Sequence, residues 1–264
     1  MPTDTVPYAG LTQLPLAEHI FGSTGAMEDV RKSLEEAVHD DLPVLIEGES
    51  GTGKELMARY FHSRSHRAAA PFERVNCGAI DARLLDREFF ERNETAGTLF
   101  LDEIGEMDSA SQRRVGRALK AVASLVRARI VCASSIDMTG TADKRVSEDL
   151  LSHFRHRMRL VPLRERKQDI PRLCEYLAYK FARDFGRPTP RLNAFVLESL
   201  QQRSWPGNIR ELENWIARIV VFGTEEAMSQ GFRRQVSGQA GECIARPHGV
   251  RLSMGPWRRS RRSS

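Results

Sequence analysis

Apolar positions along the chain change their period twice, and those changes divide it. From Ala26 to Val38, Met27, Val30, Leu34 and Ala37 recur at helical spacing. The unbroken run Val44-Leu45-Ile46 predicts a strand buried on both faces. Leu56 to Phe61 reads as a helix, Phe72 to Asn76 alternates as a strand, and Leu84 to Phe90 is a short helix candidate. Gly97 to Leu101 is a further apolar strand, and Ser109 to Val122 is a helix with Val115, Leu119 and Val122 on one face. Arg129 to Ala133 and Met158 to Val161 complete the strands. Strands alternating with helices predict a layered α/β domain around a parallel sheet.

After Pro162 only helical spacing remains. Asp169 to Phe185 carries Ile170, Leu173, Leu177 and Phe181 on one stripe, and Asn193 to Gln202 forms a second helix. A third opens at Asn208 and presents Leu212, Trp215, Ile216 and Ile219; Asn208 with Glu211 three residues on reads as a capping box. Trp205 and Pro206 are expected to fix the packing of these helices. The expected organisation is an irregular lead-in over 1–20, an α/β core over 21–163, a small helical lid over 164–222, and a tail over 223–264. The tail loses apolar periodicity and ends in Arg258, Arg259, Arg261 and Arg262, which reads as a disordered basic segment.

The chemistry sits at two strand ends. Gly48-Glu49-Ser50-Gly51-Thr52-Gly53-Lys54-Glu55 lies between a strand and a helix and fits G-x-x-x-x-G-K. Glycines let successive backbone N–H groups point at one anion. The helix N-terminus adds a positive dipole end, and Lys54 adds a full charge for the β- and γ-phosphates. The strand Gly97-Thr98-Leu99-Phe100-Leu101 ends in Asp102 and Glu103. Asp102 is the candidate magnesium ligand, and Glu103 the residue that polarises a water for attack on the γ-phosphate. ATP and Mg²⁺ are therefore the expected cofactors, with Lys54, Asp102 and Glu103 as catalytic candidates.

Bulk properties narrow the classes. The 264 residues can bury a substantial core, and 41% hydrophobic with 28% charged content is ordinary for a globular protein. The net charge of +5 permits contact with nucleic acid without establishing it. Cys77, Cys132, Cys174 and Cys243 are far apart and form no CxxC, which points to reduced thiols in a cytoplasm. No apolar run is long enough to span a bilayer, and Met1 to Ala9 lacks the pattern of a signal peptide.

The strings GESGTGKE, PFERVNC (Pro71 to Cys77), GTLFLDEIGEM (Gly97 to Met107), LRERKQDIP (Leu163 to Pro171) and WPGNIRELEN (Trp205 to Asn214) resemble the sigma-54-interacting AAA+ domain of bacterial enhancer-binding transcription activators. The resemblance runs from about Phe21 to Val221. It implies an α/β nucleotide-binding core with a helical lid, working as a ring-type homo-oligomer with ATP between subunits. It implies that Gly48 to Glu55 cradle the phosphates, that Asp102 and Glu103 serve magnesium and water, and that Arg210 in the lid senses the γ-phosphate. Glu55 takes the place usual in the family after the loop lysine.

The chain also departs from that pattern. Phe89 to Ala96 runs almost directly into Gly97, so the GAFTGA loop through which the family touches sigma-54 is expected to be absent. A second family hairpin is expected to be cut down between Leu119 and Ala128. Ser147 and His153 occupy the positions of two trans-acting arginines, with Arg145, Arg155 and Arg157 nearby, and Ser135 replaces the sensor asparagine. No helix-turn-helix is recognisable after Phe222, so DNA binding is not supported, and an N-terminal sensory domain is not expected. Contact with a sigma factor or RNA polymerase stays an open expectation. Three readings follow: a slowly hydrolysing AAA+ transcription regulator with sigma-54 remodelling lost, a non-hydrolysing ATP-binding assembly module, and a truncated remnant of a longer activator.

Overall fold

The computed structural model describes residues 14–79, 97–121, 128–135 and 146–223. Five strands form one sheet: β1 (Val44–Gly48), β2 (Phe72–Asn76), β3 (Thr98–Asp102), β4 (Arg129–Ser135) and β5 (His156–Arg159). Every pairing is parallel, and the spatial order is β2-β3-β4-β1-β5. β4 therefore lies between the strand that feeds the glycine loop and the strand that ends in the carboxylates. Gly48 pairs with Ser135 and Leu101 with Cys132, so the carboxyl ends of β1, β3 and β4 open on one crevice. Ligands of open parallel sheets bind in such crevices.

Helices cover both faces. α1 (Ala17–Phe21), α2 (Gly25–Ala37) and α3 (Lys54–Arg64) bury Phe21, Met27, Leu34, Met57 and Phe61 against Ile46, Phe100 and Val131. α4 (Ser109–Ala121) and the short α5 (Glu148–Leu151) cover the other face, where Val115 and Leu119 meet Leu45, Leu101 and Cys132. A sheet covered twice explains why its central strands read as continuous apolar runs rather than alternating ones. Cys132 is a fully buried strand residue; Cys77, Cys132 and Cys174 are free thiols.

The lid packs separately. α6 (Ile170–Asp184), α7 (Ala194–Gln202) and α8 (Asn208–Phe222) enclose Leu173, Leu177, Leu200, Trp205, Leu212 and Ile216. Trp205 is wholly buried and donates its indole N–H to the carbonyl of Leu200 at 2.8 Å, while Pro206 stays exposed. Asn193 caps α7 by accepting from the N–H of Val196 at 2.9 Å.

Several boundaries differ from the expectations. α1 begins inside the stretch over 1–20 expected to be irregular, because Ile20 and Phe21 bury against the core. α3 starts at Lys54 rather than Leu56, since the loop glycines feed the helix directly. β4 runs on to Ser135, and β5 begins at His156 and ends at Arg159, two residues earlier than the apolar run placed it. The capping box at Asn208 is also corrected. Gly207 is the N-cap, and Glu211 accepts from the Gly207 N–H at 2.9 Å; Asn208 turns its side chain elsewhere. The helix candidate Leu84 to Phe90, the run Phe89 to Ala96 before β3, residues 122–127 after α4, Arg145 and the basic tail lie outside the described residues, so the expected losses of the GAFTGA loop and the second hairpin fall there too. Among the described residues no helix is long and apolar enough to cross a membrane.

Candidate functional site

Gly48 to Glu55 turn from β1 into α3 at the mouth of the crevice. Gly51 and Gly53 hold φ of 79° and 98°, a left-handed region that favours glycine. At Gly51 a side chain would also run into the carbonyl of Gly207 from the lid. Lys54, 6% exposed, donates to the Gly48 carbonyl at 3.1 Å and the Ser135 hydroxyl at 2.8 Å. Its Nζ lies 3.1 Å from Oε1 of Glu103.

Glu103 follows β3 with φ of 59°, a conformation costly for a non-glycine residue. Such strain is kept where surrounding contacts over-determine it. Here Ser135 supplies two of them: its N–H donates to Oε2 at 2.8 Å and its hydroxyl to Oε1 at 2.7 Å. Burial pushes the Glu103 carboxyl up, but the Ser135 hydrogen bonds and the Lys54 charge outweigh it and hold it below the usual range. Asp102 ends β3 beside it and receives Arg74 of β2 at 2.7 Å. Arg74 also reaches Glu55 at 3.3 Å, and Glu55 accepts from Arg59 at 2.8 Å.

The lid closes on the same loop. Arg210 donates to the Ser50 hydroxyl at 3.1 Å, and the N–H groups of Ile209 and Arg210 both reach the carbonyl of Gly51, at 2.9 and 3.3 Å. Buried Asn208 donates to the Ser50 carbonyl at 3.0 Å and to Glu49 at 3.2 Å, and its Oδ1 accepts from the Leu163 N–H at 2.8 Å. Glu49 takes a two-pronged bond from Arg164, 2.7 Å on each side, which holds its carboxyl below the usual range. Thr52 folds inward and donates to the Glu49 carbonyl at 2.8 Å.

The structure thus brings Gly48 to Glu55, Asp102, Glu103 and Arg210 around one place. Ser50, Gly51, Gly53, Lys54, Glu55, Asp102, Glu103 and Arg210 line a cleft of about 340 Å³. Glu49 is part of the loop, but its carboxylate is engaged by Arg164 rather than aimed into that cleft. Site selection from sequence left out Arg74, Ser135 and Asn208. Alternation along paired β2 and β3 was the available signal for Arg74, because Arg74 pairs with Phe100 and Asn76 with Asp102. Ser135 was reached from sequence only as the replacement for the family's sensor asparagine; its bonds to Lys54 and Glu103 needed the strand order, which sequence did not supply.

Ser147 and His153 do other work. The Ser147 hydroxyl caps α5 by accepting from the Leu150 N–H. His153 is largely buried beside Gly116, its Nε2 4.0 Å from Asp149 and beyond hydrogen-bond reach. Arg157 pairs with Glu47 at 3.0 Å, and Arg155 is exposed.

The parallel sheet, the glycine loop at its carboxyl edge and the helical cap together define an AAA+ nucleotide-binding core followed by its lid. Residues 20–96 match the family described as Sigma-54 interaction domain, and residues 164–237 match the AAA+ ATPase lid domain. The chain carries a sigma-54 interaction AAA+ ATPase domain of the kind found in bacterial enhancer-binding transcription activators. It is 35% identical over 238 residues to the response regulator protein PilR of Pseudomonas aeruginosa, covering 80% of this chain and 54% of that protein. It is 36% identical over 242 residues to the transcriptional regulatory protein FlbD of Caulobacter vibrioides, covering 81% and 53%. The crystal structure of NtrX from Brucella abortus in complex with ATP superposes with a TM-score of 0.68 at 29% identity, covering 81% of this chain and 52% of that one. The chain spans about half the length of these relatives.

Proposed function

We propose that this chain binds ATP with magnesium in the cleft between loop and lid, hydrolyses it slowly, and serves a ring-forming transcription regulator whose sigma-54 remodelling is lost. The observation that carries the nucleotide reading is the approach of Lys54 to Glu103 at 3.1 Å, over a glycine loop that opens a helix. An ammonium, a helix N-terminus and left-handed glycines at one point suit a polyphosphate. The 29%-identical NtrX was solved with ADP as well as with ATP.

Magnesium uses one or two carboxylates and completes its shell with phosphates and water. Asp102, 13% exposed at the cleft, suits that demand, and Asp102 would hold the ion. When bound it offsets charge on the phosphate oxygens. Lys54 neutralises the same oxygens from the loop side. Glu103, kept ionised, accepts a hydrogen bond from the attacking water. Arg210 on the lid side reports whether the triphosphate is present.

Loss of remodelling rests on the sequence between Cys77 and Gly97, which holds no GAFTGA string. Slow turnover rests on Ser147 and His153, since a trans arginine contributes about 10³–10⁵ in rate. Their capping and packing roles also favour the second reading, uptake of ATP without hydrolysis.

ATPase rate measured against protein concentration, with sedimentation in parallel, separates these. The first reading expects turnover per protein to rise with concentration and to fall in Lys54→Ala and Glu103→Gln. Nucleotide uptake with undetectable turnover at high concentration selects the second. Absence of magnesium-dependent uptake overturns both. A strict sigma-54 promoter opened by this protein and ATP would refute the loss of remodelling.

A further inference from the structure

Arg74 has no part in the nucleotide reading so far, yet it lines the same cleft as Lys54, Glu103 and Arg210. Its guanidinium is divided between two acidic groups. Nη2 and Nε reach one oxygen of Asp102 at 2.7 and 3.2 Å, and Nη1 lies 3.3 Å from Glu55. On the far side Arg59 takes the other oxygen of Glu55 at 2.8 and 3.0 Å and stacks over the Phe72 ring at 4.8 Å. The four charges form a ladder along the mouth of the cleft, from Arg59 through Glu55 and Arg74 to Asp102.

Backbone register explains the placement. Phe72, Arg74 and Asn76 fall on one face of β2, and their partners Thr98, Phe100 and Asp102 fall on the same face of β3. That is the face covered by α3, which carries Glu55 and Arg59. The arginine side chain is long enough to run from mid-strand to the strand end.

Exposed ion pairs are weak, and the Arg74 side chain is 42% exposed. Such a pair is easily exchanged for a better one. Asp102 is also the carboxylate that suits the metal, and a divalent ion carries twice the charge of a guanidinium. Guanidinium forks match phosphate geometry as well as they match carboxylates.

Resting on the ATP and magnesium reading, we propose that Arg74 is a phosphate-binding residue held in reserve: it pairs with Asp102 and turns its donors to the phosphate oxygens once a metal takes that carboxylate. This gives the cleft a second cis arginine beside Arg210, where Ser147 and His153 leave two trans positions without one.

The test is uptake of a fluorescent non-hydrolysable ATP analogue by the whole chain, titrated with magnesium, for the unsubstituted protein and Arg74→Gln. The expected result has two parts. Arg74→Gln needs several-fold less magnesium for half-maximal uptake, because Asp102 is already free. At saturating magnesium its affinity for the analogue is about tenfold weaker, because a charge-assisted phosphate contact is gone. An unchanged magnesium requirement, or unchanged affinity at saturation, overturns the proposal. A fall in melting temperature of the ligand-free protein with equal weakening at all magnesium levels also overturns it, since the role would then be structural. No uptake by the unsubstituted protein would instead bring down the ATP reading on which the proposal stands.

Discussion

The hydroxyl of Ser135 donates to Glu103 at 2.7 Å and accepts from Lys54 at 2.8 Å, so one side chain at the end of β4 joins the loop lysine to the acidic strand. The contact follows from strand order. β4 lies between β1 and β3, and Ser135 is the register partner of Gly48. A serine reaches both groups because the three strand ends converge.

Removing the Ser135 hydroxyl has a pH signature. The folded-state pKa of Glu103 lies below its ordinary 4.5, so its ionised form adds stability that is fully present above 4.5 and lost as pH falls through the folded value. Ser135→Ala removes part of that gain. The urea midpoint of Ser135→Ala is expected below that of the parent at pH 7, with the gap narrowing steadily below pH 4.5. A constant gap across that range would contradict the assignment.

Lys54→Ala removes the only ammonium among the described residues that line the cleft, where Arg59, Arg74 and Arg210 are the other cations. Its charge meets the triphosphate in a partly dehydrated place, and the loss is expected to weaken ATP binding by roughly 100-fold or more. Calorimetric titration with a non-hydrolysable analogue checks this. Glu103→Gln, by contrast, is expected to keep that affinity and lose turnover.

Asn208 has φ of 53° and three hydrogen bonds that tie loop, lid and the Leu163 turn together. Asn208→Gly keeps the backbone freedom and deletes the bonds. With buried partners left unpaired, a loss of about 2–3 kcal/mol in unfolding free energy is expected. ATP affinity is expected to fall as well, because the lid no longer holds its seat on Ser50. Denaturant melts and nucleotide titration read the two effects separately.

Trp205→Ala empties the centre of the lid. The indole is fully buried and also satisfies the carbonyl of Leu200. A cost of about 3–5 kcal/mol is expected. Because the lid cluster is separate from the two clusters that flank the sheet, the lid is expected to melt before the core. Hydrogen exchange resolved by peptide would show lost protection over 164–222 with the sheet retained; uniform loss would contradict it.

The glycine loop, the acidic strand end and the helical stripes were all local, and local spacing is what a sequence displays. Met27, Val30, Leu34 and Ala37 are buried on α2 as their period required, and Lys54 sits where the loop pattern put it. Helix and strand periods are set by backbone geometry, so they can be read one segment at a time. The position of Ser135 against Glu103, the ladder through Arg74 and the seat of Asn208 on Ser50 join residues 32, 28 and 158 positions apart. Those contacts depend on which strands are neighbours and on where the lid folds back. Capping at Asn208 shows the limit: the local pattern offered a cap, but Leu163, Glu49 and Ser50 claimed the side chain, and the tertiary hydrogen bonds won. Sequence alone determined most of the elements and the glycine loop proposed to hold phosphate; only tertiary structure decided which distant polar groups share a buried space, because an unpaired buried donor costs more than a local cap returns.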